Sequence, residues 1–353
     1  MTPLAELLIA RIAATGPITV AEYMAECLLH PAHGYYTTRP PFGREGDFTT
    51  APEISQMFGE MLGLALAQAW MDQGAPAEAC LAEIGPGRGT LMADILRVFG
   101  QIPGGPRLHP HLVEASPALR RVQAEAVPGA QWHDTVADLP EAPLFLVGNE
   151  FFDALPIRQF QRTEEGWAER MVGVSDGALS LGLGPSDPRP ELDHRRGDTT
   201  PGDLVETCAP ARPIMTEIAR RIATHGGAAY LIDYGGWHSL GDTLQAVRAH
   251  APDPVLAHPG EADLTAHVDF EPLAQAAAEA GAHPAPLTPQ GVFLEQLGIT
   301  ARAQALATRL SGAALDSHIA AHRRLTHPDE MGTLFKVLGV SPKDAPPLAG
   351  MRP

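Results

Sequence analysis

Residues 81–91, Leu-Ala-Glu-Ile-Gly-Pro-Gly-Arg-Gly-Thr-Leu, restrict the architecture more than any other part of the chain. A short apolar run ends in a turn containing Gly85, Gly87 and Gly89, and helical patterning then continues to Phe99. Glycine lets the backbone bend tightly and approach a ligand at a helix N-terminus, as in the first βα turn of a doubly wound α/β fold. The dinucleotide fingerprint needs Gly-x-Gly-x-x-Gly. Here Thr90 holds the place of its third glycine, and Glu83 stands two residues before the first. An acid there suits an aminoacyl ligand better than a pyrophosphate. The plain alternative is a strand-to-helix turn with no ligand, since such turns are common in α/β folds.

The surrounding pattern agrees with a mostly parallel sheet flanked by helices. Short apolar runs at 81–84, 112–114, 144–148 and 228–233 end in Gly or an acid and alternate with helical segments, which is the βαβ rhythm. Ahead of them, residues 4–14 place Leu4, Leu7, Leu8 and Ile12 at helical spacing, and Thr19 is the expected N-cap of a helix over 21–29. A Gly/Pro-rich stretch over 31–46 follows, and residues 55–70 return to an apolar helical pattern. After Pro156 the rhythm breaks. Segments 158–162, 167–174 and 178–183 are joined by Glu-Glu-Gly and Asp-Gly turn signals, predicting an antiparallel meander, and 184–202 predicts an exposed loop. Helices are expected over 213–224 and 270–280. The organisation expected is an N-terminal helical lobe with a capping segment over 1–75, a catalytic domain over 76–340 carrying an insertion at about 157–205, and a tail over 341–353.

Three groups of polar residues fall where a doubly wound fold builds its site, at the carboxyl ends of the strands. Glu114 ends the second strand, placed to accept from ribose hydroxyls, with a helix-capping role as the alternative. Asp134, in Trp132-His133-Asp134, follows a third short strand and is a candidate for an adenine edge. Asn149, Glu150 and Asp153, in Asn-Glu-Phe-Phe-Asp-Ala-Leu-Pro, follow the strand over 144–148 and are the candidate catalytic residues. Acids beside two phenylalanines need a reason to be there, because burial without partners costs several kcal/mol. A solvated turn or a supporting ion pair is the alternative.

At these motifs the sequence resembles a known family. Residues 42–55 (Phe-Gly-Arg-Glu-Gly-Asp-Phe-Thr-Thr-Ala-Pro-Glu-Ile-Ser), the Glu83–Thr90 turn, Asn149–Pro156, Ile232-Asp-Tyr-Gly235 and Ala262–Phe270 look like the MidA family of methyltransferases, in order over about residues 20 to 335. The resemblance implies a class I methyltransferase fold, Rossmann-like, with S-adenosylmethionine as the methyl donor. It further implies symmetric dimethylation of an arginine in the 49 kDa-type subunit of complex I, the mitochondrial members being complex I assembly factors. Carried over by position, Gly85, Gly87 and Gly89 line the methionine part of the donor, Glu83 helps hold its amine, and Glu114 takes the ribose. Residues 47–55 are expected to cap the donor, with Asp47, Thr50 and Pro52 nearest. Glu150 and Asp153 are expected to clamp the substrate guanidinium. His267 is left without a role.

Composition bounds the partners. A formal charge of -17 opposes a phosphate backbone, so nucleic acid is not expected. No run approaches the roughly 18 apolar residues of a membrane span. The three scattered cysteines fit neither a disulfide framework nor a metal site, and a reducing, cytoplasmic setting is expected. The histidines form no metal-ligand spacing, so no metal is expected. Two other functions stay open: a nicotinamide-dependent oxidoreductase, which shares the fold but not the missing glycine, and a non-catalytic assembly chaperone that keeps the donor site.

Overall fold

The computed structural model describes residues 1–38, 50–103 and 108–351. The N-terminal helices α1 (Pro3–Thr15) and α2 (Val20–Leu29) form where the apolar spacing places them. Thr19 caps α2 through a full capping box, its side chain accepting from the Glu22 amide while Glu22 accepts from the Thr19 amide. Helix α3 (Gln56–Asp72) starts at Ser55, whose hydroxyl accepts from the Met57 amide. It is buried along most of its length, Phe58, Leu62, Ala65 and Leu66 being inaccessible to solvent. Each such fully buried large apolar side chain contributes about 1.5–3 kcal/mol.

The sheet units follow in order: β1 (Cys80–Ile84), α4 (Thr90–Phe99), β2 (Pro110–Val113), α5 (Pro117–Ala126), β3 (Gln131–His133) and β4 (Leu144–Asn149). An antiparallel insertion then contributes β5 (Arg158–Arg162), β6 (Trp167–Ser175), β7 (Ala178–Asp187) and β8 (Leu204–Thr207). The main sheet resumes with α6 (Ala211–His225), β9 (Gly227–Gly236) and α7 (Phe270–Glu279). Helices α8 (Gln290–Gln296), α9 (Ile299–Ala307) and α10 (Gly312–Thr326) lead to the last strand, β10 (Phe335–Ser341).

In the main sheet the strands lie side by side in the order β10, β9, β4, β1, β2, β3. Five of them run parallel and β10 pairs antiparallel with β9. Both faces are covered. In β1, Leu81 joins the core on one face with Phe58, Leu62 and Ile95, while Cys80, Ala82 and Ile84 join the core on the other with Met215, Ile218 and Leu273. This period-2 division between two apolar layers makes a doubly wound α/β fold, and it holds the carboxyl ends of β1, β2 and β4 at one edge.

The insertion is the antiparallel meander expected, with two departures. Strand β7 extends to Asp187, and the stretch expected to be an exposed loop contains the 3-10 segment Pro190–Arg195 with Arg195 buried. Arg195 is accommodated because Nε pairs with Asp198 at 2.9 Å and a guanidinium N–H donates to the Ser239 carbonyl at 2.8 Å. The N-terminal helices share a core with this region: Leu4, Leu8, Val20, Tyr23 and Met24 pack with Ile157, Val172 and Leu264. The short strand Ile18–Thr19 adds to the edge of β6.

Candidate functional site

The turn after β1 takes its path from its glycines: Gly85, Gly87 and Gly89 have φ of 61°, 52° and 83°. A Cβ at Gly85 would lie 2.8 Å from the Phe151 ring, so a side chain is excluded by space as well as by conformation. Thr90, at the place of the third dinucleotide glycine, donates its hydroxyl to Glu53 at 2.6 Å. The residue that argued against a dinucleotide thus ties the short Ala51–Ile54 turn to the glycine turn.

Glu83 is 2 % exposed at the end of β1, and burial pushes its carboxyl up to about 8. Its Oε2 has no hydrogen-bond partner among the described residues. An orphaned carboxylate oxygen in the core is costly unless something else supplies a donor. Glu83 lines a narrow cavity of about 40 Å³ together with Gly85, Gly87, Thr50, Pro52 and Asn149. This opens to a larger, mainly apolar cavity of about 480 Å³, with Gly85, Gly87 and Glu150 lining both. Glu114 and Leu119 line the larger one. Glu114 Oε1 accepts from the Ser116 amide at 2.7 Å and Oε2 from Gln123 Nε2 at 3.1 Å. Burial raises the Glu114 pKa, and these hydrogen bonds oppose that shift.

Asn149 closes β4, and Glu150 follows it with φ of 52°, a left-handed conformation that non-glycine residues adopt at a cost of order 1–3 kcal/mol. Glu150 Oε1 accepts from Asn149 Nδ2 at 2.8 Å and from the Ala51 amide at 3.3 Å. Burial, with the Asp153 carboxylate nearby, raises its pKa to about 7. The turn is fixed from behind by Asp233, whose Oδ2 accepts from the amides of Phe152 and Asp153 at 3.0 and 3.2 Å. Burial and the neighbouring Asp153 and Glu150 carboxylates push Asp233 well above the usual carboxylate range.

Most of the expected site residues come together here: Glu83, Gly85, Gly87, Glu114, Thr50, Pro52, Asn149 and Glu150 all line the joined cavities. Gly89 stands behind them as the N-cap of α4. Asp153 is enclosed and lines neither cavity, because the turn folds inward onto Asp233 at that point. Asp134 also lines the larger cavity, with its side chain 83 % exposed and paired with Arg120 at 2.6 Å. Asp47 lies outside the described residues. Residues not singled out from the sequence also belong to the site. Gln123 is buried against Glu114, Glu53 holds Thr90, and Tyr36 lines the larger cavity with its hydroxyl donating to Asp263 at 2.9 Å. No cluster of His, Cys, Asp and Glu suited to a metal occurs among the described residues.

The fit to S-adenosylmethionine is physical. A buried carboxylate with an unused oxygen suits an ammonium, the glycine turn leaves room beside it, and the apolar cavity with Glu114 at its wall suits a nucleoside. Fold and site together define an S-adenosylmethionine-dependent methyltransferase of the class I type. The chain belongs to the family of S-adenosyl-L-methionine-dependent methyltransferases whose pattern it matches over residues 61–288. It is 38% identical to the protein arginine methyltransferase NDUFAF7, mitochondrial, of Xenopus tropicalis, over 97% of this chain and 88% of the relative. The human protein of the same name is also 38% identical, over 97% and 84%. Among solved structures, a COG1565 superfamily member from Burkholderia thailandensis bound to S-adenosyl-homocysteine superposes with a TM-score of 0.85. It is 31% identical, covering 98% of this chain and 94% of that one. The cytoplasmic setting expected from the cysteines is corrected by these relatives, which are named mitochondrial. Scarce, unpaired cysteines report a reducing environment, which does not single out one compartment. No helix among the described residues is long and apolar enough to cross a membrane.

Proposed function

We propose that this enzyme methylates arginine side chains of a protein, with Glu150 holding the guanidinium and receiving its proton. The observation that carries the proposal is the place of Glu150: a carboxylate on a left-handed turn, lining both cavities, with no ion pair to a cation among the described residues. The names of the relatives, protein arginine methyltransferases, support the same acceptor. The family resemblance adds symmetric dimethylation and the 49 kDa-type subunit of complex I as the acceptor to be tested first.

When bound, S-adenosylmethionine supplies a methyl group made electrophilic by its sulfonium charge. Glu83 is assigned to the donor ammonium and Glu114 to the ribose hydroxyls, with Thr50 and Pro52 closing over the methionine end. Glu150 orients one guanidinium nitrogen by a charge-assisted hydrogen bond, and Asn149 fixes the carboxylate that does so. A guanidinium has a pKa above about 12 and is not deprotonated beforehand, so the carboxylate takes the proton as the nitrogen becomes alkylated. A base with a pKa of about 7 can accept that proton and return it to water at neutral pH. Asp153, enclosed behind the turn, acts on Glu150 through its charge rather than on the substrate.

Glu150→Gln keeps the volume and removes the charge. It should leave S-adenosylhomocysteine affinity nearly intact and slow single-turnover methyl transfer about a hundredfold or more, the scale of a general acid–base contribution. The measurement is transfer from labelled donor to the purified 49 kDa-type subunit, with mass spectrometry of its arginines. Transfer at the wild-type rate by the variant would make Glu150 structural. A wild-type enzyme that modifies no arginine of that subunit would refute the acceptor while leaving the donor site untouched.

A further inference from the structure

Helix α5, Pro-Ala-Leu-Arg-Arg-Val-Gln-Ala-Glu-Ala, buries only Leu119 and Gln123. Gln123 is 0 % exposed, so the partners of its amide must all be protein groups. Trp132 Nε1 lies 2.8 Å from Gln123 Oε1. An indole N–H can only donate, which fixes the amide oxygen on that side and turns the NH2 the other way. There Nε2 donates to the Gly87 carbonyl at 2.8 Å and to Glu114 Oε2 at 3.1 Å. One side chain thus joins the glycine turn after β1 to the carboxylate after β2, from behind the wall that both present to the cleft.

We propose that Gln123 is the positioning residue of the donor site, setting the spacing between the glycine turn and the ribose carboxylate Glu114, with Trp132 fixing the direction of its amide. The proposal rests on the assignment of Glu114 to the ribose. Two acceptor groups in a cleft that must match a ligand of fixed length need a rigid link, and Gln123 is a direct one. Its N–H also favours the ionised form of Glu114, the form that accepts from two hydroxyls, against the burial that raises the Glu114 pKa. Trp132, singled out in the sequence only as a neighbour of Asp134, acquires a role of its own.

Calorimetry of S-adenosylhomocysteine binding tests this without any acceptor protein. Gln123→Leu should weaken binding about tenfold or more, since it strips a charged acceptor of a hydrogen bond. Trp132→Phe, which loses the indole N–H together with part of the ring, should weaken it by about threefold. Glu114→Ala should weaken binding too, and Gln123→Leu should add little in that background, because the two act through one group. Gln123→Glu gives a signature that a packing role would not. Above neutral pH its carboxylate faces the Glu114 carboxylate and the Gly87 carbonyl, and binding is lost. Lowering the pH to about 6 puts a shared proton between the carboxylates, the behaviour of close carboxylate pairs, so affinity relative to wild type rises as pH falls. Wild-type affinity itself falls with pH as Glu83 is protonated, so the ratio of the two is what is read.

Should Gln123→Leu fail to fold, the pH dependence of the affinity ratio between Gln123→Glu and wild type still decides. Parallel slopes overturn the proposal, as does a folded Gln123→Leu that binds like wild type while Glu114→Ala does not. If Glu114→Ala itself binds S-adenosylhomocysteine like wild type, the ribose assignment fails and the positioning role falls with it.

Discussion

Glu83 sits in the core because the strand carrying it ends at the cleft, and its carboxylate is left under-partnered there. With one oxygen unpartnered and its pKa raised by burial to about 8, it is poised to be neutralised by a cation. Glu83→Gln should therefore weaken S-adenosylhomocysteine binding by about 10–100-fold, the range for losing a hydrogen bond to a charged group. Binding of 5′-methylthioadenosine, which lacks the aminoacyl end, should barely change. Equal losses for both ligands, measured by calorimetry, would remove Glu83 from the methionine end. At this scale the sequence exposes the acids that follow apolar strands, Glu83, Glu114 and Glu150, because strand ends in a doubly wound sheet converge on one edge. It hides which of their neighbours turn inward. The left-handed φ of Glu150 redirects the chain, so that Asp153, three residues on, is enclosed while Glu150 lines the cleft. No residue type there signals it, since glycine is the usual mark of a positive φ. Gln123 is hidden for another reason: on a polar helix it looks like a solvated residue until Trp132 and Glu114 are brought to it.

Among the elements, the single turn Ala51–Ile54 is tied to the site at two points. Glu53 receives the Thr90 hydroxyl at 2.6 Å, and the Ala51 amide donates to Glu150 at 3.3 Å. One tie joins the segment to the first turn of α4 and the other to the end of β4, so it spans the narrow cavity between donor and acceptor groups. Thr90→Val keeps the shape and removes the first tie. Donor affinity should fall about 2–10-fold, less than the full worth of a hydrogen bond to a charged group because the tie acts on the donor only through the segment, with most of the change in the dissociation rate. Stopped-flow release of S-adenosylhomocysteine checks it, and an unchanged rate would mean that the segment does not retain the donor. The β1–turn–α4 unit is legible because strand, glycine turn and helix each carry their own local signal. Strand β10 is not, since Phe-Lys-Val-Leu-Gly-Val-Ser has no period that separates it from a buried helix end, and its antiparallel pairing is decided by β9. The extension of β7 to Asp187 is likewise decided by its partner β6, against a local sequence rich in Gly and Pro.

Across the whole molecule, buried carboxylates make stability depend on pH in an unusual direction. Burial raises Glu83 to about 8, Glu150 to about 7, and Asp94, Asp153 and Asp269 to about 6. A carboxyl whose folded pKa exceeds its unfolded value binds its proton more tightly when folded, so its stabilising effect is complete below about pH 4 and is lost as pH rises through the folded value. Surface carboxylates lowered by hydrogen bonds and ion pairs, such as Glu22 and Glu141, have the opposite sign, and their contribution is already complete above about pH 5. The unliganded enzyme should therefore melt at progressively lower temperature from pH 6 to pH 8. With the ligand ammonium at Glu83, as proposed, S-adenosylhomocysteine prefers it ionised, so its stabilisation should grow over the same interval. At a concentration near a hundred times Kd the ligand adds about 2.7 kcal/mol, a rise of roughly 3–4 °C in Tm for a chain of this length. At fixed ligand concentration the rise should be larger at pH 8 than at pH 6. Glu83→Gln should weaken the first trend, Glu150 still titrating, and abolish the second, raising the unliganded Tm at pH 8 and leaving a smaller ligand shift that no longer varies with pH. Thermal melts of the two proteins at pH 6, 7 and 8, with and without ligand, test this. A wild-type ligand shift independent of pH, or a ligand shift that still varies with pH in Glu83→Gln, would mean that the proton exchanged on donor binding belongs to another group.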